Sequence, residues 1–244
     1  MSDVMPGLSI VVPAHNSGPR LRDTLQQLVR ELDRDDVEVI IVENGSSDNT
    51  WEIAGDLARG SWGFPVRAFQ SEVGLGAAYL KGASEARGEA VLLTADDLPF
   101  GVTDIRSWES AGDPSALVIG SKAHPGSKVP RSRLRVVMSW GYRFLRGVIL
   151  GMTVGDCQGT LFVNMTWLRR RIHLLREHGY LMSTEIVHLA QLDRVRVVEV
   201  PVVLQAGHER GATRIRIVDV WDMVAGLVRL RQRRRALRVA LKES

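Results

Sequence analysis

Leu8-Ser-Ile-Val-Val-Pro-Ala-His-Asn16 decides the fold. Residues 8–12 are apolar almost without interruption and stop at Pro13, as a strand buried on both faces of a parallel sheet does. Further along, Pro19 to Leu32 places Leu21, Leu25, Leu28 and Leu32 at helical spacing. Val37 to Val42 is a second buried strand with a helix, Asp48 to Arg59, behind it. Val66 to Phe69, a helix over Gly74 to Ala86, and Ala90 to Thr94 repeat the alternation, and Leu117 to Ile119 is a further strand. Strands alternating with helices predict an α/β fold, an open and mostly parallel sheet with right-handed crossovers.

Beyond residue 120 the pattern changes. Ser121 to Pro130 is rich in Lys, His, Pro, Gly and Ser and reads as a loop. A basic amphipathic helix is expected over Arg131 to Leu150, and a late strand over the β-branched stretch Val195 to Leu204. Gly207 to Thr213 reads as loop, and Val218 to Leu241 as an amphipathic, Arg-rich C-terminal helix. The resulting division is a domain over 1–217, with halves 1–120 and 121–217, followed by the basic helix 218–244.

At 244 residues with 45% hydrophobic and 25% charged residues, the chain has ordinary globular composition. The single cysteine, Cys157, excludes an intramolecular disulfide framework and suits a reducing compartment. Six histidines, none at a metal-ligand spacing, set a zinc site aside. Residues 1–7 carry Asp3 and no basic region, so a signal peptide is not expected. No run reaches the ~18–20 apolar residues that span a bilayer. The formal net charge of +4 is concentrated in Arg131–Arg146, Arg169–Arg171 and Arg229–Arg238, so the second half is expected to meet an anion. No helix-turn-helix or RNA-binding signature is present, so nucleic acid is not an expected partner. The chain is expected in the cytoplasm, free or peripheral on the inner face of the cell membrane.

In an open parallel sheet, ligands bind beyond the carboxyl ends of the strands. Those ends carry Pro13-Ala-His15-Asn16, Glu43-Asn-Gly-Ser46 and Thr94-Ala-Asp96-Asp97. Asp96 emerges two residues after a buried strand, where a hard cation bound to diphosphate oxygens would find a carboxylate. The competing reading makes Asp96 or Asp97 an N-cap of the next helix. The string Gly74-Leu-Gly-Ala-Ala-Tyr-Leu-Lys-Gly82 follows the third strand, not the first, which argues against a dinucleotide fingerprint. Its glycines fit close helix–strand approach.

The ordered set of motifs resembles family 2 glycosyltransferases of the GT-A (Rossmann-like) fold, and within them the dolichyl-phosphate mannose synthase-like, polyprenyl-phosphate enzymes. Ser9-Ile-Val-Val-Pro-Ala-His-Asn16 is similar to the family's nucleotide-facing strand end. Val42-Glu-Asn-Gly-Ser-Ser-Asp-Asn-Thr50 resembles its Asp-Asp-Gly-Ser-x-Asp-x-Thr motif, and Gly74-Leu-Gly-Ala-Ala-Tyr79 its glycine motif. Thr94-Ala-Asp96 falls on the metal-binding Asp-x-Asp. Gly120-Ser-Lys122, Arg135-x-x-x-Ser139, Asp156-Cys-Gln-Gly159, Glu199-Val-Pro201 and Thr213-Arg214 are similar to the remaining motifs, covering residues 8 to about 216. The sequence departs from the family at Thr94, Leu98, Glu43-Asn44 and Leu161-Phe162.

What the resemblance implies is inverting transfer of a hexose, mannose or glucose, from a GDP- or UDP-sugar to a polyprenyl or dolichyl phosphate. It implies nucleotide contacts from Pro13, His15, Glu43, Gly74 and Asp96, and a Mg²⁺ or Mn²⁺ ion on Asp96 with Asp97. It implies an acceptor-phosphate site from Lys122, Arg135, Ser139, Arg210 and Arg214, with Asp96 and Arg135 central to catalysis. A phosphate acceptor is already anionic at neutral pH, so no general base is required. Two alternatives stay open: a soluble transferase acting on a hydroxyl, and a nucleotide-sugar-binding module with weakened catalysis. The C-terminal helix is expected to bind an anionic membrane or an anchored partner, or to pack on the domain.

Overall fold

The computed structural model of the chain describes residues 5–130, 133–205, 208 and 217–243. Its first half follows the expected alternation: β1 (Leu8–Ala14), α1 (Gly18–Glu31), β2 (Val37–Glu43), α2 (Thr50–Ala58), β3 (Val66–Gln70), α3 (Leu75–Glu85) and β4 (Ala90–Leu93). The second half is α4 (Thr103–Ala111), β5 (Leu117–Ser121), α5 (Arg133–Leu150), β6 (Thr160–Asn164), α6 (Met165–Arg171), α7 (Met182–Leu192), β7 (Val197–Pro201) and α8 (Ile217–Glu243).

The strands form one sheet in the order β3-β2-β1-β4-β6-β5-β7. Every pairing is parallel except those of β6, which runs antiparallel to β4 and β5. The chain winds outward from β1 in both directions, which opens a crevice between β1 and β4 at their carboxyl ends. β1 continues three residues past its last pair with β4, Val11↔Leu93, while still pairing with β2 as far as Ala14↔Glu43. Pro13 lies in that overhang, where its missing N–H removes no bond to β4.

Alternate residues of each strand enter two cores. Val11, Ile40, Val42, Val91 and Leu161 pack against α3, α5, α7 and α8, whereas Ile10, Val12, Ile41, Leu92 and Phe162 pack against α1, α2 and α4. Burial on both faces is why these strands read as continuous apolar runs. The Trp108 ring of α4 stacks on Phe162 with centroids 5.1 Å apart.

Two differences from the sequence reading have physical causes, and the structure bears on one alternative left open. The late strand spans only Val197–Pro201, because pairing with β5 stops at Ser121↔Pro201. Asp97 caps no helix: α4 begins at Thr103 behind Val102. Of the alternatives for the C-terminal helix, α8 packs on the domain, with Leu227, Leu230 and Leu237 buried in the first core. Each such leucine contributes about 2 kcal/mol on burial, so packing holds this helix on the domain.

Candidate active site

At the ends of β1 and β2, polar side chains fold the backbone before they can meet a ligand. Asn16 takes a left-handed φ of 50°, which asparagine tolerates better than most residues. Its N–H donates to Ser46 Oγ at 3.1 Å and its Oδ1 accepts the Ser47 N–H at 2.9 Å. His15 Nδ1 lies 3.2 Å from the Asn44 carbonyl. Glu43 is buried, with one carboxylate oxygen accepting the Ser46 N–H and the other the Gln70 amide at 2.9 Å. Burial raises the Glu43 pKa, but the hydrogen bonds from Ser46 and Gln70 outweigh it and hold it below the usual carboxylate value. The Thr50 hydroxyl donates to Asp48 and accepts the N–H groups of Ser17 and Gly18, bracing the start of α1.

Asp96 leaves β4 over the crevice. Its carbonyl accepts the Thr24 hydroxyl, and the Tyr79 hydroxyl donates to the Thr94 carbonyl at 3.0 Å, so the turn is tethered from α1 and α3. The carboxylate lies 3.8 Å from the exposed Arg20 guanidinium. Burial raises its pKa, opposed by Arg20 and the Ser17 hydroxyl, with Asp97 adding to the rise. A partly desolvated carboxylate at a crevice, with hard oxygen donors and only a distant cation, fits a divalent ion such as Mg²⁺ or Mn²⁺. Asp97 is turned to His208, whose Nε2 lies 2.9 Å from the Asp97 carbonyl and 3.7 Å from its carboxylate. Leu98 is a core residue at a left-handed φ of 43°. Among the described residues, no group of three or more acidic, His or Cys side chains converges as a metal cage.

The glycine run has a packing explanation. A Cβ on Gly74, at φ 129°, would sit 2.3 Å from the His178 carbonyl oxygen; one on Gly76 would sit 2.6 Å from that of Glu177. The His178 carbonyl accepts the N–H groups of Gly76 at 2.8 Å and Ala77 at 3.2 Å, closing the N-terminus of α3. Gly82 lets α3 lie directly on Val11 of β1. The segment is fixed in turn by Glu185, 1% exposed, which accepts the N–H groups of Arg176 and Glu177 at 2.8 Å each. Arg233 of α8 donates to the same carboxylate at 2.6 Å.

The antiparallel course of β6 brings its beginning to the carboxyl edge of β5, with Gly120 opposite Thr160. Residues 154–158 therefore enter the site beside Ser121 and Lys122. Glu199 of β7 organises them, accepting the Ser121 hydroxyl at 2.6 Å and the N–H groups of Gly155 at 2.7 Å and Asp156 at 3.0 Å. Asp156 accepts the Lys122 N–H at 3.1 Å, with the Lys122 ammonium 3.6 Å away. From below, the buried Arg146 of α5 reaches Cys157 Sγ and the carbonyls of Val154 and Gly155 at 3.3 and 3.2 Å.

Of the residues singled out in the sequence, Pro13, His15, Glu43 and Asp96 gather along the β1, β2 and β4 ends, with Gly74 at the start of α3. Lys122 follows β5, across β6 from β4, and meets Asp156 and the Gln158 carbonyl. Arg135 and Ser139 lie one turn apart on α5, eleven and seven residues before Arg146, or roughly 16 and 10 Å of helix. Arg210 and Arg214 lie outside the described residues. Sequence reasoning missed Arg146 and Glu199 as site-builders. Glu199 stood in a quoted motif, whereas nothing set Arg146 apart from the other arginines of its helix.

Beside the site, α5 presents an apolar face. Val136, Val137, Trp140, Phe144 and Val148 are 51–67% exposed, with the Trp140 and Phe144 rings stacked 5.7 Å apart. No described helix is long and apolar enough to cross a membrane.

Comparison with known proteins agrees with this geometry. The chain is 28% identical over 244 residues to a dolichyl-phosphate beta-glucosyltransferase of Trichomonas vaginalis, a match covering 91% of this chain and 70% of the relative. It is 27% identical over 217 residues to the human protein of that name, covering 80% of this chain and 66% of the relative. Among solved structures, glucosyl-3-phosphoglycerate synthase from Mycobacterium tuberculosis, in complex with Mn²⁺, UDP-glucose and phosphoglyceric acid, superposes with TM-score 0.65 at 18% identity. That likeness covers 94% of this chain and 79% of the other, and establishes the fold. The sequence model of glycosyl transferase family 2 matches residues 9–172, about two thirds of the chain, and the chain belongs to that family.

Proposed function

We propose that the protein transfers a hexose, with inversion, from a nucleotide sugar to a polyprenyl phosphate. The observation that carries this reading is Asp96, a partly desolvated carboxylate at the β1–β4 crevice where an α/β sheet binds its ligand. Relatives named for dolichyl-phosphate glucosyl and mannosyl transfer support a hexose donor and a lipid phosphate acceptor. The nucleotide lies along Pro13, His15 and Glu43, with Gly74 at the far wall. A divalent cation held by Asp96, with Asp97 beside it, would neutralise charge building on the departing diphosphate.

An acceptor phosphate is already ionised, so the chain's part is to hold two anions in line. Lys122, Arg135 and Ser139, with Arg210 and Arg214, bind the acceptor phosphate in this reading. Glu199 and Arg146 act as positioning residues by fixing the 154–157 turn against Lys122. The lipid chain approaches along α5, whose exposed Trp140 and Phe144 enter the headgroup region while Arg133 and Arg143 meet anionic lipid. This assigns the bilayer contact to α5, because the apolar face of α8 is packed.

Incubation with radiolabelled UDP- or GDP-hexose, Mn²⁺ and a polyprenyl phosphate is expected to move label into the organic phase, and Asp96→Ala to abolish it. Label confined to a water-soluble product would sink the lipid acceptor. Thr94, occupying the first position of the carboxylate pair, favours one second reading, a nucleotide-sugar-binding module with weakened catalysis. Saturable donor binding without turnover on any acceptor would select it.

A further inference from the structure

The ends of α5, α7 and α8 enclose a cleft of about 750 Å³ that the transfer reaction does not use. Leu150 and Gly151 on one wall lead toward the 154–158 turn, and the Arg194 rim faces away from the active site. Arg194 on its rim precedes Val197, which pairs with the first residue of β5, whereas the active site lies beyond the last pair, Ser121↔Pro201. The two ends are separated by about 13 Å of strand.

The lining is strongly cationic: Arg194, Arg234, Arg235, Arg238 and Lys242, with His188 at the wall. Asp193 also borders the cleft, but its carboxylate is held by Arg171 Nε at 2.9 Å and Trp167 Nε1 at 2.7 Å. Among the described residues, none of the five cations forms a salt bridge. Like charges crowded at a cleft repel one another, an arrangement that an anion relieves.

Two further observations point to a ligand. His188 is 2% exposed and its Nε2 has no hydrogen-bond partner, an exception to the rule that buried polar atoms are satisfied. Burial, then Arg234, Arg238 and Arg231, push its pKa down to about 4, so the ring is neutral and can donate one N–H without adding charge. Arg194 stands at φ 59° just past α7, where the Val195 N–H closes on the Ala190 carbonyl at 2.9 Å and its own N–H on Gln191 at 3.3 Å. This turn calls for glycine, and an arginine there is strained. The strain sets a guanidinium at the rim of the cleft.

We propose that this cleft is a second binding site, for an anion bearing one or more phosphate groups, either free in solution or carried as a phospholipid headgroup. Guanidinium forks match phosphate oxygens in pairs, and the neutral His188 ring stands in the wall among them. The proposal is independent of the donor and acceptor assigned to the active site.

The test uses the full chain with labelled histidine, at constant ionic strength and with chelator present to exclude metal-dependent binding in the active site. Inorganic pyrophosphate and dihexanoyl phosphatidylglycerol below its micelle concentration are titrated separately while the His188 ring resonances are followed. A saturable shift is expected with at least one probe; which one responds identifies the source. Arg235→Ala/Arg238→Ala should weaken that affinity at least tenfold and leave Mn²⁺-dependent UDP binding unchanged. Arg194→Gly should raise the melting temperature yet weaken the anion, opposite signs that a purely structural arginine would not give. No saturable shift with either probe at millimolar concentration, or wild-type affinity in both variants, would overturn the proposal.

Discussion

Replacing Arg233 by alanine tests whether the C-terminal helix is part of the fold. The Arg233 guanidinium donates to Glu185 at 2.6 Å and to the Leu174 carbonyl at 2.7 Å. Glu185 is 1% exposed, so removing its cation strands a buried carboxylate. Breaking such a pair from one side costs about 3–5 kcal/mol. Two backbone N–H groups stay on Glu185, and the Arg233 side chain is 23% exposed, which places the cost near the lower end, about 3 kcal/mol. For a chain of this size that is a fall in melting temperature of roughly 6–12 °C. Urea unfolding followed by circular dichroism should show a midpoint lowered by about 1 M. Arg231→Ala, at an exposed position of the same helix, should move stability by less than about 0.5 kcal/mol. Because Glu185 also holds the 176–177 backbone, Arg233→Ala should weaken nucleotide binding below its melting temperature. If the two variants proved equally stable, the packing of α8 and the role given to Glu185 would both be refuted.

Burial pushes the Asp104 pKa up to about 6, so the native state binds its proton more tightly than the unfolded chain does, and stability falls as pH rises from about 4 to 6. The difference amounts to about 3 kcal/mol, and Asp104→Asn should flatten that part of the pH–stability curve measured by denaturant unfolding. Glu199→Gln turns an amide toward three hydrogen donors that now meet a carboxylate; it should cost about 1.5–3 kcal/mol and lower kcat more than it alters donor binding, as steady-state kinetics would register. Burial pushes the Cys157 thiol up to about 12, so alkylation by iodoacetamide at pH 8 should be slow in the native protein and fast after unfolding, read by mass spectrometry.

The first half of the fold was legible because its strands are buried on both faces and its helices on one. Leu21, Leu25 and Leu28 are the buried face of α1, as their spacing indicates. α7 gave no such signal: Met182 to Ala190 are all buried, and a helix covered on every side carries no polar stripe to mark its period. α4 has few apolar residues to mark its face, with Ile105 and Trp108 one turn apart. β6 was absorbed into the reading of the Asp156 motif that precedes it. At the site, single strand ends exposed Asp96 and Glu43 to inspection. The Glu199 network was hidden because two of its three partners are backbone N–H groups 43 and 44 residues away, which side-chain identity does not reveal. The sequence left α8 open between a membrane-binding helix and one packed on the domain, because the same density of arginine suits both; buried Leu227, Leu230 and Leu237 mark the packed face.

The His178 carbonyl closing α3 reaches beyond packing. An open helix end is where many nucleotide-binding proteins seat a diphosphate, on amides that belong to the chain and are always present. Here that seat is taken by the protein itself. On the proposed function, a diphosphate leaving group in the crevice would be met by ions drawn from solution and by flexible side chains. In the proposed reaction, turnover would therefore follow the concentration of free divalent ion, a dependence that an amide-lined pocket would soften.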